Sequence, residues 1–189
     1  MFIEPNLKGE RRGWIEVICG SMFSGKTEEL IRRLKRVKIA NLKVEIFKPS
    51  LDVRYDETKI VSHDTNAILS TPVDSSQSIL LLAEGVDVVG IDEAQFFDKL
   101  ILSELRRYLN KGIDIAVSGL DKDYRARPFG IIPNLIEMAH HKQHLKAVCQ
   151  QCGADAEYRY RMTQNHVLVL IGAENHYEPR CEKCFNINQ

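Results

Sequence analysis

The most informative motif in the sequence is Gly20-Ser21-Met22-Phe23-Ser24-Gly25-Lys26-Thr27. It fits the pattern G-x-x-x-x-G-K-[ST] of a phosphate-binding loop, in which successive backbone N–H groups surround the phosphate oxygens. In such a loop the ammonium group of Lys26 neutralises phosphate charge, and the hydroxyl of Thr27 can ligate Mg²⁺. The stretch therefore predicts a site for a nucleotide.

The residues on either side of this loop support the prediction. Residues 14–19 form a short apolar run typical of a strand, and residues 28–40 contain neither Gly nor Pro. Leu30, Leu34 and Val37 recur there at helical spacing. A flexible Gly/Ser turn before an ordinary helix is the alternative, but the order of strand, loop and helix favours phosphate binding at the positive end of the helix.

Short β-rich runs alternate with longer helical ones between residues 14 and 147. The expected strands cover residues 14–19, 44–48, 86–91 and 113–118, and the expected helices cover residues 28–40, 77–83, 100–110 and 132–139. This alternation predicts an α/β fold with a mostly parallel sheet between layers of helices, spanning residues 1–147. The composition then shifts to Cys, Tyr and Arg, with a β-rich run at 167–171, so residues 148–189 are expected to form a small second domain.

Composition and charge exclude several classes of partner. The chain has 189 residues, and Lys plus Arg number 26, as do Asp plus Glu, so extended nucleic acid is not an expected partner. Apolar residues make up 44%, but no window approaches the roughly 18–20 apolar residues of a membrane span, so no membrane is expected either. The first residues lack the apolar core of a secretion signal, and the expected location is cytoplasmic.

Two acids follow an apolar run at the expected ligand edge of the sheet. Asp92 and Glu93 come directly after residues 86–91, and open α/β sheets bind ligands at the carboxyl ends of their strands. Asp92 is expected to hold Mg²⁺, which leaves Glu93 to act as a base in phosphoryl transfer. In an ATPase the same glutamate would orient water, and the residue type does not separate these two roles.

Four of the five cysteines form two Cys-x-x-Cys pairs. The pairs are Cys149 with Cys152, and Cys181 with Cys184. Four thiolates from two such pairs complete the tetrahedral shell preferred by Zn²⁺, and a shell with no open position predicts a structural zinc. The interval between the pairs exceeds the roughly 15–20 residues of a usual zinc ribbon, so the metal is expected to clamp the base of an extended loop. A redox dithiol and buried free thiols are the alternatives.

Further candidate residues lie on the same side of the expected sheet. Four aromatic residues follow strand ends and, as a set, predict an apolar pocket for a base, although each alone is more typical of core packing: Phe96, Phe97, Tyr124 and Phe129. The polar segment 49–72 contains Arg54 and is expected to be a long, partly ordered excursion. A direct role and a solvated insertion remain equally open for Arg54.

Together these motifs resemble the zinc-containing type of thymidine kinase. The likeness rests on the loop at 20–27, on Asp92-Glu93-Ala94-Gln95-Phe96-Phe97, on both cysteine pairs, and on residues 47–49, 52–55, 62–64, 119–124, 128–130 and 171–181. The fold that the resemblance implies is a P-loop NTPase core with a RecA-like, mostly parallel sheet and a small C-terminal zinc-binding lasso domain. A zinc-ribbon ATPase acting on nucleic acid and a catalytically silent thymidine-nucleotide sensor are the competing hypotheses.

The resemblance implies transfer of phosphate from ATP to the 5′-hydroxyl of thymidine, and of deoxyuridine, in pyrimidine deoxynucleoside salvage. It implies Glu93 as the catalytic base and Asp92 as the magnesium-side acid, with ATP contacts from the loop and from Asp92, Glu93, Ala94 and Gln95. The implied substrate-binding residues are Met22, Arg54, Phe96, Leu120, Tyr124, Phe129, Leu168, Val169, Leu170 and Tyr177. A homotetramer and feedback inhibition by thymidine triphosphate are implied as well.

Three residues depart from the pattern of the family. Ser21 stands where many members have proline, and Tyr124 replaces a common phenylalanine, which adds a hydroxyl that needs a partner. Arg159 stands where relatives usually carry a small hydroxyl residue. A contact of that small hydroxyl with the substrate is therefore not expected in this chain.

Overall fold

The computed structural model of the chain describes residues 12–51, 59–61, 67–163 and 176–186. Its strands through residue 145 are β1 (Ile15–Gly20), β2 (Val44–Pro49), β3 (Lys59–Val61), β4 (Ala67–Leu69), β5 (Thr71–Val73), β6 (Val88–Ile91), β7 (Asp114–Leu120) and β8 (His141–Leu145). Six of them form one parallel sheet in the order β5-β2-β6-β7-β1-β8. The α/β fold with a parallel sheet is thus confirmed.

The described residues contain five α-helices: α1 (Lys26–Ile39), α2 (Ser76–Leu82), α3 (Leu100–Asn110), α4 (Ile132–Met138) and α5 (Glu182–Asn186). A single 3₁₀ turn covers Ala94–Phe96. The four strands and four helices expected from the sequence are all present, and their ends differ from the expected ones by no more than two residues. Periodicity located them because apolar side chains that enter the core recur in them at regular intervals.

Alternation along the central strands builds a core on each face of the sheet. On β1, Val17 joins the apolar cluster under α2, α3 and α4, whereas Ile18 joins the cluster under α1. Helix α1 packs directly on β6, because a Cβ atom added at Gly90 would lie 2.7 Å from a methyl of Leu34. Each fully buried Leu or Ile contributes about 1.5–3 kcal/mol.

Two edge strands of the sheet were not expected from the sequence. Among the described strands β8 pairs with β1 alone, and its side chains are exposed or half-buried, so its polar sequence lacks the apolar pattern of an inner strand. Strand β5 contains Pro72, which is tolerated because β5 forms the opposite edge. The polar segment 49–72 is therefore more regular than expected, since β3 and β4 also pair antiparallel within it.

The C-terminal part is built from two small antiparallel pairs. Strand β9 (Ala147–Val148) pairs with β10 (Asp155–Ala156), and β11 (Tyr158–Arg161) pairs with β12 (Tyr177–Arg180). The expected β-rich run at 167–171 lies outside the described residues, and a domain boundary between residues 147 and 148 stays a prediction. No helix in the described ranges has the length and apolar character needed to cross a membrane.

A buried ion pair ties α1 to the sheet. The Arg33 guanidinium donates to the carboxylate of Glu16 on β1 and to the side-chain oxygen of Gln143 on β8. Its Nε also lies 2.8 Å from Glu29 on α1. Glu16 is 1% exposed and Arg33 is 8% exposed. Their hydrogen bonds to each other therefore replace the hydration that both charges lose on burial.

We expect Arg33→Ala to lower the free energy of unfolding by about 3–5 kcal/mol, because it removes the guanidinium that faces a buried carboxylate. Chemical denaturation measures this change. The matched control is Arg32→Ala, whose exposed side chain bonds the same Glu29 and should contribute less than about 1 kcal/mol. Equal, small losses in the two variants would contradict the assignment.

Candidate functional site

The phosphate loop lies between β1 and α1, at the carboxyl edge of the sheet. Gly25 begins the helix with a φ of 80°, a conformation that side chains disfavour, and a Cβ atom at Gly20 would collide with the backbone oxygen of Leu145. Within the loop, Lys26 Nζ donates to the Ser21 backbone oxygen at 2.6 Å, as does Ser24 Oγ at 2.8 Å. The glycine positions thus follow from local geometry.

Asp92 joins three elements of the site. Asp92 follows β6, and Thr27 lies at the start of α1, which follows β1. Although β7 lies between β6 and β1 in the sheet, Thr27 Oγ1 donates to Asp92 Oδ2 at 3.2 Å. The hydroxyl of Ser118 on β7 donates to Asp92 Oδ1. Asp92 is 4% exposed, so these hydroxyls replace much of its hydration. The adjacent oxygens of Thr27 and Asp92 are of the kind that a hard cation such as Mg²⁺ accepts.

Glu93 adopts an unusual backbone conformation directly after Asp92. Its φ of 50° and ψ of 41° lie in the left-handed region, which costs a residue with a side chain about 1–3 kcal/mol. The side chain is only 8% exposed, and its Oε2 accepts a hydrogen bond from Gln95 Nε2. The two neighbouring acids therefore have different partners, because Asp92 engages hydroxyls whereas Glu93 engages an amide.

Gln95 connects Glu93 to the end of β7. Its Oε1 accepts the backbone N–H of Leu120 at 2.9 Å, and the residue is 4% exposed. A Cβ atom at Gly119 would lie 2.8 Å from the same Oε1, so only glycine leaves room for the amide. Sequence reasoning grouped Gln95 with the ATP contacts and missed this contact. The glycine at 119 is visible in the sequence, but its proximity to Gln95 becomes apparent only from the order of the strands.

Seven side chains from the phosphate loop, the 3₁₀ turn, β7, the following loop and β12 form what we call the aromatic cluster: Met22, Phe23, Phe96, Leu120, Tyr124, Phe129 and Tyr177. Phe96 and Phe129 meet edge to face at 5.9 Å. The structure thus brings together six of the ten residues expected to bind substrate. The other four, Arg54, Leu168, Val169 and Leu170, lie outside the described residues.

Phe97 does not belong to the aromatic cluster. Its side chain is 7% exposed and packs in the main core with α2 and α3. The suggestion that it walls the pocket is therefore wrong, and the alternative of core packing is correct. Phe96 ends the 3₁₀ turn and packs in the aromatic cluster, whereas Phe97 follows the turn with an extended backbone and packs in the main core.

Two arginines from β11 enter the aromatic cluster. Arg161 donates to the Tyr177 hydroxyl and stacks 3.6 Å from the centroid of the Tyr124 ring. The Arg159 guanidinium lies 5.0 Å from the Phe129 ring centroid and 5.1 Å from that of Tyr177. Sequence reasoning noted Arg159 without placing it there. The signal was the spacing of two residues, which puts both side chains on one face of a strand.

The four paired cysteines come together as expected. Their sulfur atoms lie within 4.8 Å of one another, and Cys152 Sγ lies 3.6 Å from Cys181 Sγ. A tetrahedral site with metal–sulfur bonds of about 2.3 Å separates its sulfurs by about 3.8 Å, so the cluster can hold a metal ion.

The protonation of these thiols also fits a cation. Burial alone would raise the pKa of Cys149, but backbone N–H donors from Cys181, Gln151 and Cys152 lower it to about 6. Hydrogen bonds with Cys181 and Cys152 raise the pKa of Cys184 to about 12. Metal binding requires thiolates, so a bound cation would favour the ionised form of Cys184 as well as that of Cys149.

The phosphate loop contacts the cysteine region directly. Ser21 Oγ donates to the backbone oxygen of Ala156 on β10 at 3.1 Å. Phe23 packs against Ala147, Cys149 and Ala156 as well as against the aromatic cluster. The departure at Ser21 therefore provides a hydrogen bond that proline could not make.

Comparison with known proteins agrees with this geometry. A family model described as thymidine kinase matches residues 13–185. The chain is 55% identical over 175 residues to a thymidine kinase of Porphyromonas gingivalis, covering 93% of this chain and 86% of the relative. It is 54% identical to that of a Rhodothermus species, with 92% and 81% covered, and 53% identical to that of Bacteroides thetaiotaomicron, with 98% and 94% covered.

Proposed function

Because the chain belongs to the thymidine kinase family, we propose that it transfers the γ-phosphoryl group of ATP to the 5′-hydroxyl of thymidine. One observation carries the proposal. Asp92 contacts Thr27 of the phosphate loop, and its neighbour Glu93 is joined through Gln95 to Leu120 of the aromatic cluster. A phosphate site and an apolar pocket are therefore connected through two adjacent acids.

Glu93 is proposed as the general base. The 5′-oxygen forms a bond to the γ-phosphorus as the bond to the β-bridging oxygen of ATP breaks, and the hydroxyl proton passes to the Glu93 carboxylate. The hydrogen bond from Gln95 fixes that carboxylate, and burial limits access of competing water. Lys26 and the loop amides balance the charge of the phosphates.

Thr27 and Asp92 are the proposed ligands of Mg²⁺, and Ala94 completes the proposed ATP-side residues. The fit rests on two oxygens already within 3.2 Å of each other beside the loop. When bound with ATP, the metal neutralises charge that develops on the phosphates. Ser118 keeps the Asp92 carboxylate oriented by donating to its other oxygen.

The aromatic cluster is the proposed nucleoside pocket. Rings of Phe96 and Phe129 offer faces and edges for a flat base, and Met22 offers a polarisable thioether. We include deoxyuridine as a second acceptor because it differs from thymidine by one methyl group, a difference worth about 1–3 kcal/mol in an apolar pocket. Arg54 and the backbone of Leu168, Val169 and Leu170 complete the proposed contacts.

The substrate class is tested by ADP release from ATP and Mg²⁺ with a panel of acceptors. Thymidine should support turnover, deoxyuridine should follow, and deoxycytidine, deoxyadenosine, thymidine monophosphate and single-stranded DNA should not. The physical reason for excluding DNA is that the chain carries no net charge that would attract a polyanion. Turnover that depends on DNA alone would contradict the proposal.

The role of Glu93 is tested by Glu93→Gln. We expect kcat to fall by about 10²–10⁴-fold, because the proton acceptor is lost while the phosphate contacts remain. Affinities for ATP and thymidine, measured by calorimetry, should stay near those of the parent protein. A matched comparison is Asp92→Asn, which alters the proposed metal side and should weaken ATP-Mg²⁺ binding. Loss of ATP binding in Glu93→Gln would refute the assignment.

We propose that the four-cysteine cluster holds one structural zinc. The ligand set is all sulfur, and the knuckle at Cys149 closes through a 2.8 Å hydrogen bond from its N–H to the Ala154 oxygen. The metal would then fix the base of the segment between β11 and β12, whose ends are held by the Met162 N–H and the His176 oxygen at 2.9 Å.

Zinc content is measured by mass spectrometry of the purified protein, with one equivalent per chain expected. Cys149→Ser should lose the metal and raise the KM for thymidine before the sheet unfolds, because the ligand shell is incomplete. The control is Cys19→Ala, which removes a buried cysteine of the main core and should keep the metal. Retention of a full equivalent in Cys149→Ser would rule out this site.

We also propose the broader properties that the resemblance implies. These are a homotetramer, inhibition by thymidine triphosphate, and work in cytoplasmic pyrimidine salvage for DNA precursor synthesis. We further propose a division into a nucleotide-binding domain (1–147) and a zinc-binding lasso domain (148–189), because the composition shifts to Cys, Tyr and Arg after residue 146.

A further inference from the structure

Arg159 is a buried cation with donors left over. Arg159 is 6% exposed, and its Nη1 lies 3.9 Å from the Met22 sulfur. Nε and Nη2 are inaccessible to water and have no hydrogen-bond partner within the described ranges. Buried guanidinium groups are normally paired, so two unpaired donors in one side chain call for a ligand.

The two unpaired donors share one edge of the guanidinium plane. In arginine the N–H of Nε and an N–H of Nη2 point in parallel, which is the fork that grips oxygen acceptors. The third nitrogen, Nη1, faces Met22 of the phosphate loop. The donor edge is therefore separate from the side that packs on the loop.

The charge of Arg159 has no close counter-ion among the described residues. Burial lowers the pKa of the guanidinium, while the charges of Tyr177, Glu93 and Asp123 act to raise it and that of Arg161 acts to lower it. None of these groups accepts a hydrogen bond from Nε or Nη2. The site therefore offers directional donors rather than a completed ion pair.

The surroundings point to a flat ligand. The guanidinium carbon lies at nearly equal distances from the rings of Phe129 and Tyr177, so the group occupies the space between aromatic side chains. A planar base bound between the same rings would present the polar atoms of its edge to the Nε and Nη2 donors of Arg159. The acceptors on the edge of a thymine or uracil ring are carbonyl oxygens.

We propose that Arg159 donates from its Nε/Nη2 edge to a carbonyl oxygen of the bound pyrimidine and so determines which bases the pocket accepts. This inference rests on the proposed function, since it assigns the base to the aromatic cluster. The contact replaces the two missing hydrogen bonds of Arg159 when the nucleoside binds. A base without a carbonyl at that position does not gain these hydrogen bonds and therefore binds more weakly.

The test compares Arg159→Met with the parent protein, because methionine keeps an apolar stem without donors. Thymidine Kd by calorimetry should rise about 10–100-fold, the range for a hydrogen bond to a charged group, and kcat/KM should fall in parallel through KM. The KM for ATP should not change. Arg159→Lys, which keeps the charge without the fork, should recover only part of the affinity.

Analogues identify the accepting oxygen. 4-Thiothymidine and 2-thiothymidine each replace one base carbonyl oxygen with the weaker acceptor sulfur, and 3′-deoxythymidine removes a sugar hydroxyl. One thio analogue should lose its sensitivity to Arg159→Met, and that result names the carbonyl. If 3′-deoxythymidine alone loses sensitivity, or all ligands lose affinity equally, the proposal is overturned.

Two further measurements separate a contact with the base from a purely structural role of Arg159. Arg107→Met, which changes an exposed arginine of α3, should leave every value unchanged. A raised KM for ATP in Arg159→Met, or a thymidine Kd within twofold of the parent value, would overturn the proposal. Parent protein that binds thymidine without turnover would refute the kinase function alone, since the calorimetric comparison still decides the role of Arg159.

Discussion

The hydrogen bonds of the Asp92 carboxylate hold the parts of the site together. It accepts from Thr27 at the start of α1 and from Ser118 on β7, so it joins three neighbouring elements at one edge of the sheet. Because β7 separates β6 from β1, these contacts depend on the parallel register of the three strands. In that register Ile91 at the end of β6 lies opposite Val117, so Asp92 follows beside Ser118, and Gly20 at the end of β1 lies opposite Leu120.

The strained backbone of Glu93 has a clear physical origin in this arrangement. Its left-handed conformation starts the 3₁₀ turn that carries Gln95 back to both Glu93 and Leu120. Those buried hydrogen bonds offset the conformational cost. The site therefore combines a rigid phosphate side, built on glycine geometry, with a rigid acid held by an amide.

Local sequence pattern was sufficient for the inner parts of the molecule. β1, β2, β6 and β7 are apolar runs, and Leu30, Leu34 and Val37 mark the buried face of α1. The edge strands β5 and β8 escaped prediction because strands paired on one side need no apolar run. The phosphate loop at 20–27 and the acids Asp92 and Glu93 were recognisable from the sequence because each motif consists of adjacent residues. Contacts such as Ser118 with Asp92, or Arg159 with Phe129, depend on strand order, which short motifs do not encode.

The electrostatics of the aromatic cluster are unusual for a pocket that would hold an uncharged nucleoside. Arg159 and Arg161 are both buried against aromatic rings, and their charges oppose each other. The faces of the Tyr124 and Tyr177 rings stabilise the positive charge of Arg161. The Tyr177 hydroxyl also accepts a hydrogen bond from Arg161. The added hydroxyl of Tyr124 finds a partner in Arg125 Nε at 2.8 Å.

Phe23 and Ser21 give the cysteine cluster a consequence beyond its own segment. Both belong to the phosphate loop, yet Phe23 packs against the apolar cluster that contains Cys149, and Ser21 donates a hydrogen bond to the backbone oxygen of Ala156. Ordering of the cysteine knuckle therefore favours ordering of the phosphate loop, and the reverse also holds. Thermodynamic linkage makes such sharing reciprocal: whatever a metal ion contributes to the affinity for phosphate, bound phosphate returns to the affinity for the metal.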